Sequence, residues 1–211
     1  MDRGADQVLS NMLTRRSVRS YEDRQITDEQ LSRILECGLY APSGGNCQSS
    51  RFLVIQEPAR LAELNRLIRD NLAGRELAEG QWINRGIIRA RQEGYHFIYH
   101  APTLISAAAP REHPNSMADC AAALENMLLA AWALGLGACW SNQPHWLCGE
   151  PEVRGLFRQC GLREDEAIFG SISIGFAKQR PSQPLPRKDG RIWLDNHREL
   201  PFHNSGTVSL R

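Results

Sequence analysis

Between Ser116 and Leu134 alanines, leucines and methionines occupy nearly every position, interrupted only by Asp119, Glu125 and Asn126. The stretch reads as a helix that is apolar on every face, closed by Gly135 and Gly137. A membrane span is the naive alternative. Three polar side chains inside the run argue instead for a helix buried in protein. One core in a chain of 211 residues supplies too little cover for all of its faces, so part of it is expected against a second subunit.

The elements around it follow from local signals. Val8, Leu9, Met12 and Leu13 space a short helix over residues 7–15, and Thr27 with Gln30 forms a capping box ahead of Leu31, Ile34, Leu35 and Leu39. Arg51–Ile55 reads as a strand, and Glu57-Pro58 opens a helix with Leu61, Leu64, Leu67 and Ile68 as its buried stripe. The span from Leu72 to His100 is polar and less periodic, a mixture of helix and loop. Thr103–Ala109 reads as a buried strand, Pro151–Cys160 as a helix capped by Gly161, and Ala167–Phe176 as a central strand. Prolines 181, 184 and 186 mark an extended connector, and Arg191–Leu194 an isolated terminal strand suited to pairing with a neighbouring chain. No repeat divides the chain, so 1–211 is taken as a single domain with a C-terminal arm over about 178–211.

Composition excludes whole classes of function. Lys plus Arg is 25 against 24 for Asp plus Glu, a formal charge of +1, which leaves no basic excess for a nucleic-acid backbone. The N-terminus lacks the basic-then-apolar pattern of an export signal, so a cytoplasmic location is the default. Six cysteines stand singly at 37, 47, 120, 139, 148 and 160, without C-x-x-C spacing. That argues for reduced thiols and against a metal centre. Cys37 and Cys120 fall in apolar helical patterns and read as core residues; Cys47, in a polar loop, is open to a reactive role. His96 and His100 stand at i, i+4, yet position 97 is Phe where a zinc-protease helix needs Glu. Gly135-Leu136-Gly137 lacks a dinucleotide fingerprint, and Gly170-Ser171-Ile172-Ser173-Ile174-Gly175 is one residue too long for a nucleophile elbow.

Two short stretches carry chemistry. Arg15-Arg16-Ser17-Val18-Arg19 gathers three guanidinium groups and a hydroxyl, a fork-shaped donor set suited to a phosphate dianion. Pro42-Ser43-Gly44-Gly45-Asn46-Cys47-Gln48 is a glycine-rich loop able to bring backbone N–H groups and amides against a flat heterocycle. Together they suggest a phosphorylated aromatic cofactor. These stretches resemble the FMN-dependent nitroreductase family. The likeness extends to Asn126-Met127-Leu128-Leu129-Ala130-Ala131, Gly135-Leu136-Gly137-Ala138-Cys139-Trp140, Gly175-Phe176 and Arg187-Lys188, in order over about residues 8–195.

The resemblance implies an α+β fold, a central mixed or antiparallel sheet flanked by helices, in an intertwined homodimer with an exchanged C-terminal arm. It implies that Arg15, Arg16 and Ser17 hold the FMN phosphate and ribityl chain, that Arg19 lies near N1 and the C2 carbonyl, and that Arg187 with Lys188 closes on the phosphate. Pro42, Ser43, Gly44, Asn46 and Gln48 would reach the flavin of the other subunit. Residues around Ser141, Asn142 and Gln143 would offer a backbone donor to N5, although family members often carry a glycine here. The implied activity is NADH- or NADPH-dependent reduction of nitroaromatics, quinones or similar small acceptors by ping-pong hydride transfer, with no catalytic side chain named. The alternatives are a same-fold flavoenzyme with a specialised reaction (dehalogenation, flavin fragmentation or ring dehydrogenation) and a non-catalytic flavin-binding module.

Overall fold

The computed structural model describes residues 3–181, 183, 186–188 and 190–193. The chain divides into two compact units, Met1–Arg180 and Pro181–Arg211. The expected terminal strand Arg191–Leu194 falls partly outside the described residues.

The first unit is built on a four-stranded sheet of β1 (Arg51–Ile55), β2 (Thr103–Pro110), β3 (Gly137–Ser141) and β4 (Glu166–Gly175). Its order is β1-β2-β4-β3 and all three pairings are antiparallel. β2 and β4 occupy the middle and are covered on both faces, which is why Thr103–Ala109 is buried throughout instead of alternating. Alternation along β2 puts Leu104 and Ala108 in one apolar cluster and Ile105 and Ala107 in the other, and the register shift at Ala107/Ala108 carries β4 across, Ile168 joining the first and Ile172 and Ile174 the second.

The first cluster is closed by α3 (Pro58–Ala73), which presents Leu61, Leu64, Leu67, Ile68 and Leu72, and by α7 (Pro151–Gln159) with Val153, Leu156 and Phe157. Each fully buried aliphatic side chain contributes about 1.5–3 kcal/mol, so this stripe alone holds α3 in place. The second cluster is closed by α5 (Ser116–Ala133), with α2 (Asp28–Leu39) packed over it. The capping box at the start of α2 is formed: Gln30 N donates to Thr27 Oγ1 at 3.1 Å and Thr27 N donates to Gln30 Oε1 at 3.0 Å. Gly38 lets α2 approach α5, because a Cβ there would overlap the side chain of Met127.

Several local expectations change. The first helix, α1, starts earlier and spans Arg3–Thr14, and its apolar residues Val8, Leu9, Met12 and Leu13 are all exposed. Cys120 is buried as expected, but Cys37 is exposed, since α2 meets α5 through Ile34 and Gly38 on another face. Within Leu72–His100 the regular element after α3 is α4 (Asn84–Ala90), followed by turns. A five-residue helix, α6 (Gln143–Leu147), follows β3. Among the described residues no helix is long and apolar enough to cross a membrane.

Candidate active site

Where α1 ends, the chain turns extended and lies along the outer edge of β3. Ser17 pairs in parallel with Ala138, Val18 N donates to Ala138 O at 3.0 Å, and Tyr21 pairs with Ala177. The Tyr21 hydroxyl fastens the same segment, 2.8 Å from Val18 O and 3.0 Å from Ser173 Oγ. Val18 is fully buried, and the alternation of an extended chain turns its neighbours Ser17 and Arg19 the other way. Gly137 is what allows this close packing, because a Cβ there would stand 2.7–2.8 Å from three carbons of Val18.

Arg15, Ser17 and Arg19 all surround the Cys139 side chain. Burial pushes that thiol up from its ordinary pKa, while Arg19, a hydrogen bond with Ser17, and Arg15 pull it back. Arg15 Nε stands 3.8 Å from Glu125. Arg16 turns back to cap α1, its Nη1 donating to Leu13 O at 2.8 Å and Arg15 O at 2.7 Å, and its Nε is buried with no partner among the described residues. An orphaned guanidinium donor inside a cluster of three arginines fits an anionic ligand.

Arg19 opens onto a cleft of about 630 Å³, shared with Tyr95, His96, Tyr99, His100, Gln143 and Lys178. Its guanidinium lies 5.9 Å from the centroid of the Tyr99 ring. Gln143 Nε2 donates to the Tyr95 hydroxyl at 3.3 Å, tying the start of α6 to the opposite wall. His96 and His100 do not share a helix. They sit in a turn with ring centroids 4.1 Å apart, and burial together with the His100 charge holds His96 down at about 4.

Ser141 is buried at the end of β3 with its Oγ directed to Phe97 O at 3.4 Å. Asn142 turns away from the cleft: its Oδ1 accepts from Trp140 Nε1, and it lines a second cavity of about 760 Å³ with Trp82, Trp140, His145, Trp146 and Phe169. The three residues Ser141, Asn142 and Gln143 therefore face different surroundings.

The loop Pro42–Gln48 lies at the other end of α5. Around the short 3-10 turn Gly44–Asn46, Gly44 N donates to Asp119 Oδ1 at 3.0 Å, Gln48 N to Ser43 Oγ at 3.0 Å, and Gln48 Nε2 to Asn46 Oδ1 at 3.1 Å. Arg15, by contrast, reaches Glu125, and Asn11 Nδ2 donates to Leu129 O. Along the helix Glu125 lies about 9 Å and Leu129 about 15 Å from Asp119. Arg187 and Lys188 belong to the second unit.

Backbone strain marks two of these segments. The non-glycine residues with positive φ among those described are Asn46 (55°), Gln48 (49°), Tyr99 (56°) and His100 (59°). The first pair lies in the glycine-rich loop and the second in the cleft wall. Such conformations persist where surrounding structure enforces them, commonly at ligand sites. The sequence gives the wall of Tyr95, His96, Tyr99 and His100 no binding motif; its one signal is the density of rings in Tyr95-His96-Phe97-Ile98-Tyr99-His100.

The family model described as Nitroreductase family matches residues 12–176, which takes in the arginine cluster, the glycine-rich loop, the sheet and the cleft. The chain belongs to the nitroreductase family. A relative from Archaeoglobus fulgidus, which carries the provisional name NADH dehydrogenase/NAD(P)H nitroreductase, is 30% identical over 182 residues, 82% of this chain and 87% of its own length. Among solved structures, a nitroreductase with bound FMN from Bacteroides fragilis is 34% identical, with a TM-score of 0.79 over 89% of this chain and 98% of that one. A second, a nitroreductase with bound FMN from Desulfitobacterium hafniense, shares the fold at a TM-score of 0.77 and 24% identity, covering 90% of this chain and 98% of its own. The antiparallel sheet flanked by helices is thus the nitroreductase fold.

Proposed function

We propose that this nitroreductase-family protein is an FMN-dependent oxidoreductase, which uses NADH or NADPH to reduce nitroaromatics, quinones or similar small acceptors. The observation that carries the reading is the Arg15–Arg19 segment pinned along β3, with Arg19 and Gln143 opening onto one cleft. Bound FMN supplies the ping-pong hydride relay between nicotinamide and acceptor. The protein's contribution is to hold, orient and polarise.

In this reading Arg15, Arg16 and Ser17 bind the phosphate and ribityl chain, which the buried Nε of Arg16, without a partner among the described residues, supports. Arg187 and Lys188 complete the phosphate contacts in this reading. Arg19 offers a fixed cation to the N1 and C2 carbonyl region, where negative charge accumulates on reduction. A preorganised charge in a partly buried site stabilises that state more than water would. The turn Ser141–Gln143 offers its backbone N–H groups to N5. The ring-lined wall from Tyr95 to His100 stacks acceptor or nicotinamide and excludes water.

The working form is a cytoplasmic homodimer. Val8, Leu9, Met12 and Leu13 expose one apolar face of α1, and Leu39 and Tyr40 at the end of α2 are exposed as well, which in a lone chain is unfavourable. The loop carrying Pro42, Ser43, Gly44, Asn46 and Gln48 is anchored at Asp119, about 9 Å along α5 from the Arg15 contact at Glu125. A second copy would bring it to the flavin from the other side.

The test is direct. Purified protein is expected to be yellow, to release FMN on denaturation, and to oxidise NADH or NADPH with a quinone. Protein that stays colourless and takes up no FMN at micromolar concentration refutes the cofactor assignment. Protein that binds FMN but turns over no acceptor favours the non-catalytic flavin module.

A further inference from the structure

Outside the cleft, one side-chain cluster has the chemistry of a ligand set. Cys47 in the glycine-rich loop, His113 in the turn after β2 and Asp119 in the first turn of α5 each offer a donor atom, and the three atoms lie within 4.8 Å of one another. Cys47 Sγ stands 3.4 Å from Asp119 Oδ2. In a tetrahedral zinc site with bonds of about 2.0–2.3 Å, neighbouring ligand atoms are roughly 3.4–3.7 Å apart. The Cys47–Asp119 edge therefore already has the required length, and the remaining edges need to close by about 1.4 Å at most.

The surroundings suit such a site. Asp119 is buried, and its other oxygen, Oδ1, accepts from Gly44 N at 3.0 Å, a contact that orients the carboxylate and leaves Oδ2 facing the thiol. The Nδ1 of His113 is buried and has no hydrogen-bond partner among the described residues. A buried, unpaired ring nitrogen is costly in protein and is a common ligand for a borderline-soft cation. The thiol donates to the carboxylate and makes no hydrogen bond to the imidazole, so the trio is not arranged as a cysteine nucleophile with its base.

We infer that Cys47, His113 and Asp119 form a three-ligand site for a divalent cation of the zinc type, with the fourth position open. Binding replaces the thiol proton by the metal: the S–H bond breaks, an S–metal bond forms and one proton passes to solvent. Thiolate and carboxylate together neutralise the dication, and the imidazole stays neutral. The metal would clamp the loop that bears Ser43, Asn46 and Gln48 onto the start of α5. This inference rests on the ligand cluster alone and stands or falls separately from the flavin assignment.

The experiment uses tag-free, full-length protein as purified, dialysed to equilibrium against micromolar zinc. Metal content and flavin content are measured on the same sample, beside Cys47→Ser and His113→Gln. The expected result is one tightly held zinc per chain, with X-ray absorption at the zinc edge showing a single sulfur at about 2.3 Å. Each variant should weaken zinc binding by more than the roughly 10–100-fold that loss of an outer-shell partner causes. Zinc should raise the melting temperature of the parent protein and not of Cys47→Ser. Cys47 is exposed, so its replacement leaves the core untouched and keeps the comparison valid if His113→Gln fails to fold. Absence of bound zinc in the parent overturns the inference. So does equal zinc content in Cys47→Ser, which would put the metal on other thiols.

Discussion

The close approach of Val18 to Gly137 joins the fold to the candidate site, and a single methyl group tests it. In Gly137→Ala the new Cβ would meet Val18 Cγ1 at 2.7 Å and Val18 Cβ and Cγ2 at 2.8 Å. Carbon atoms rest at about 3.5 Å or more, so the segment must lift from β3 by roughly 0.7 Å. Val18 is fully buried and has no free space to turn into. Overpacking of this kind costs about 1–3 kcal/mol. Stretching the Val18 N to Ala138 O hydrogen bond from 3.0 Å adds up to about 1 kcal/mol. The expected loss is therefore about 1–4 kcal/mol in urea unfolding, with the m-value unchanged. Val18→Ala removes the obstructing methyl groups and should cost about 1.5–3 kcal/mol by itself. Because the alanine at 137 then fills the space vacated at 18, the double variant should be more stable than the sum of the two by about 1–2 kcal/mol. FMN affinity should fall in Gly137→Ala, since Ser17 and Arg19 ride on the displaced segment, and recover in the double variant. Strict additivity, or a Gly137→Ala protein as stable as its parent, would refute the packing argument.

Three further outcomes are expected. His96 is held at about 4 against an ordinary value of 6.5, so the unfolded chain takes up this proton before the folded one does. Stability is then intact above pH 6.5 and falls between 6.5 and about 4, by on the order of 1–2 kcal/mol after allowance for partial exposure; His96→Gln should flatten that part of the pH–stability curve. Glu166 is 2% exposed and is gripped by Arg51 Nη1 at 2.8 and 3.0 Å, with Arg163 N also donating to it at 2.9 Å. Arg51→Ala should therefore cost about 2–3 kcal/mol by chemical denaturation, less than a fully buried pair because one N–H partner remains, and Arg51→Met with Glu166→Gln should recover most of it. Burial pushes the Cys120 thiol up to about 11, so mass spectrometry after brief alkylation of the native protein should find Cys37 labelled and Cys120 intact.

What could be read from the sequence divides by range. The capping box of α2, strand β1, the buried stripe of α3 and the span of α5 all stand where local period and punctuation put them. These signals lie within one or two turns of chain. α6 was invisible because Gln143–Leu147 is too short to show any periodicity. Cys37 is exposed because the face of α2 that meets α5 is centred on Ile34 and Gly38, with Leu31 and Leu35 packed beside them, and Gly38 admits Met127 where Cys37 does not reach. Pattern alone cannot weigh a glycine as the centre of a packing face.

The candidate site divides in the same way. Arg15, Arg16, Ser17 and Arg19 are contiguous, so their chemistry is legible before any folding, whereas their direction depends on Val18 docking against Gly137 some 120 residues later. His96 and His100 have helical spacing, but the left-handed backbone at Tyr99 and His100 folds that stretch into a wall with the two rings 4.1 Å apart and tilted by 41°. Cys47, His113 and Asp119 look unrelated in the chain, and it is the docking of the glycine-rich loop on α5, through Gly44 N and Asp119 Oδ1, that brings them together. That one contact fixes the loop against the first turn of α5. If the cation inference holds, the strained residues Asn46 and Gln48 are held from two sides: by the loop's own hydrogen bonds through Ser43, and by a metal bond through Cys47 between them. Loop order would then depend on zinc even in protein free of flavin, and backbone amide exchange across residues 43–48 should slow on zinc addition in the parent while remaining unchanged in Cys47→Ser.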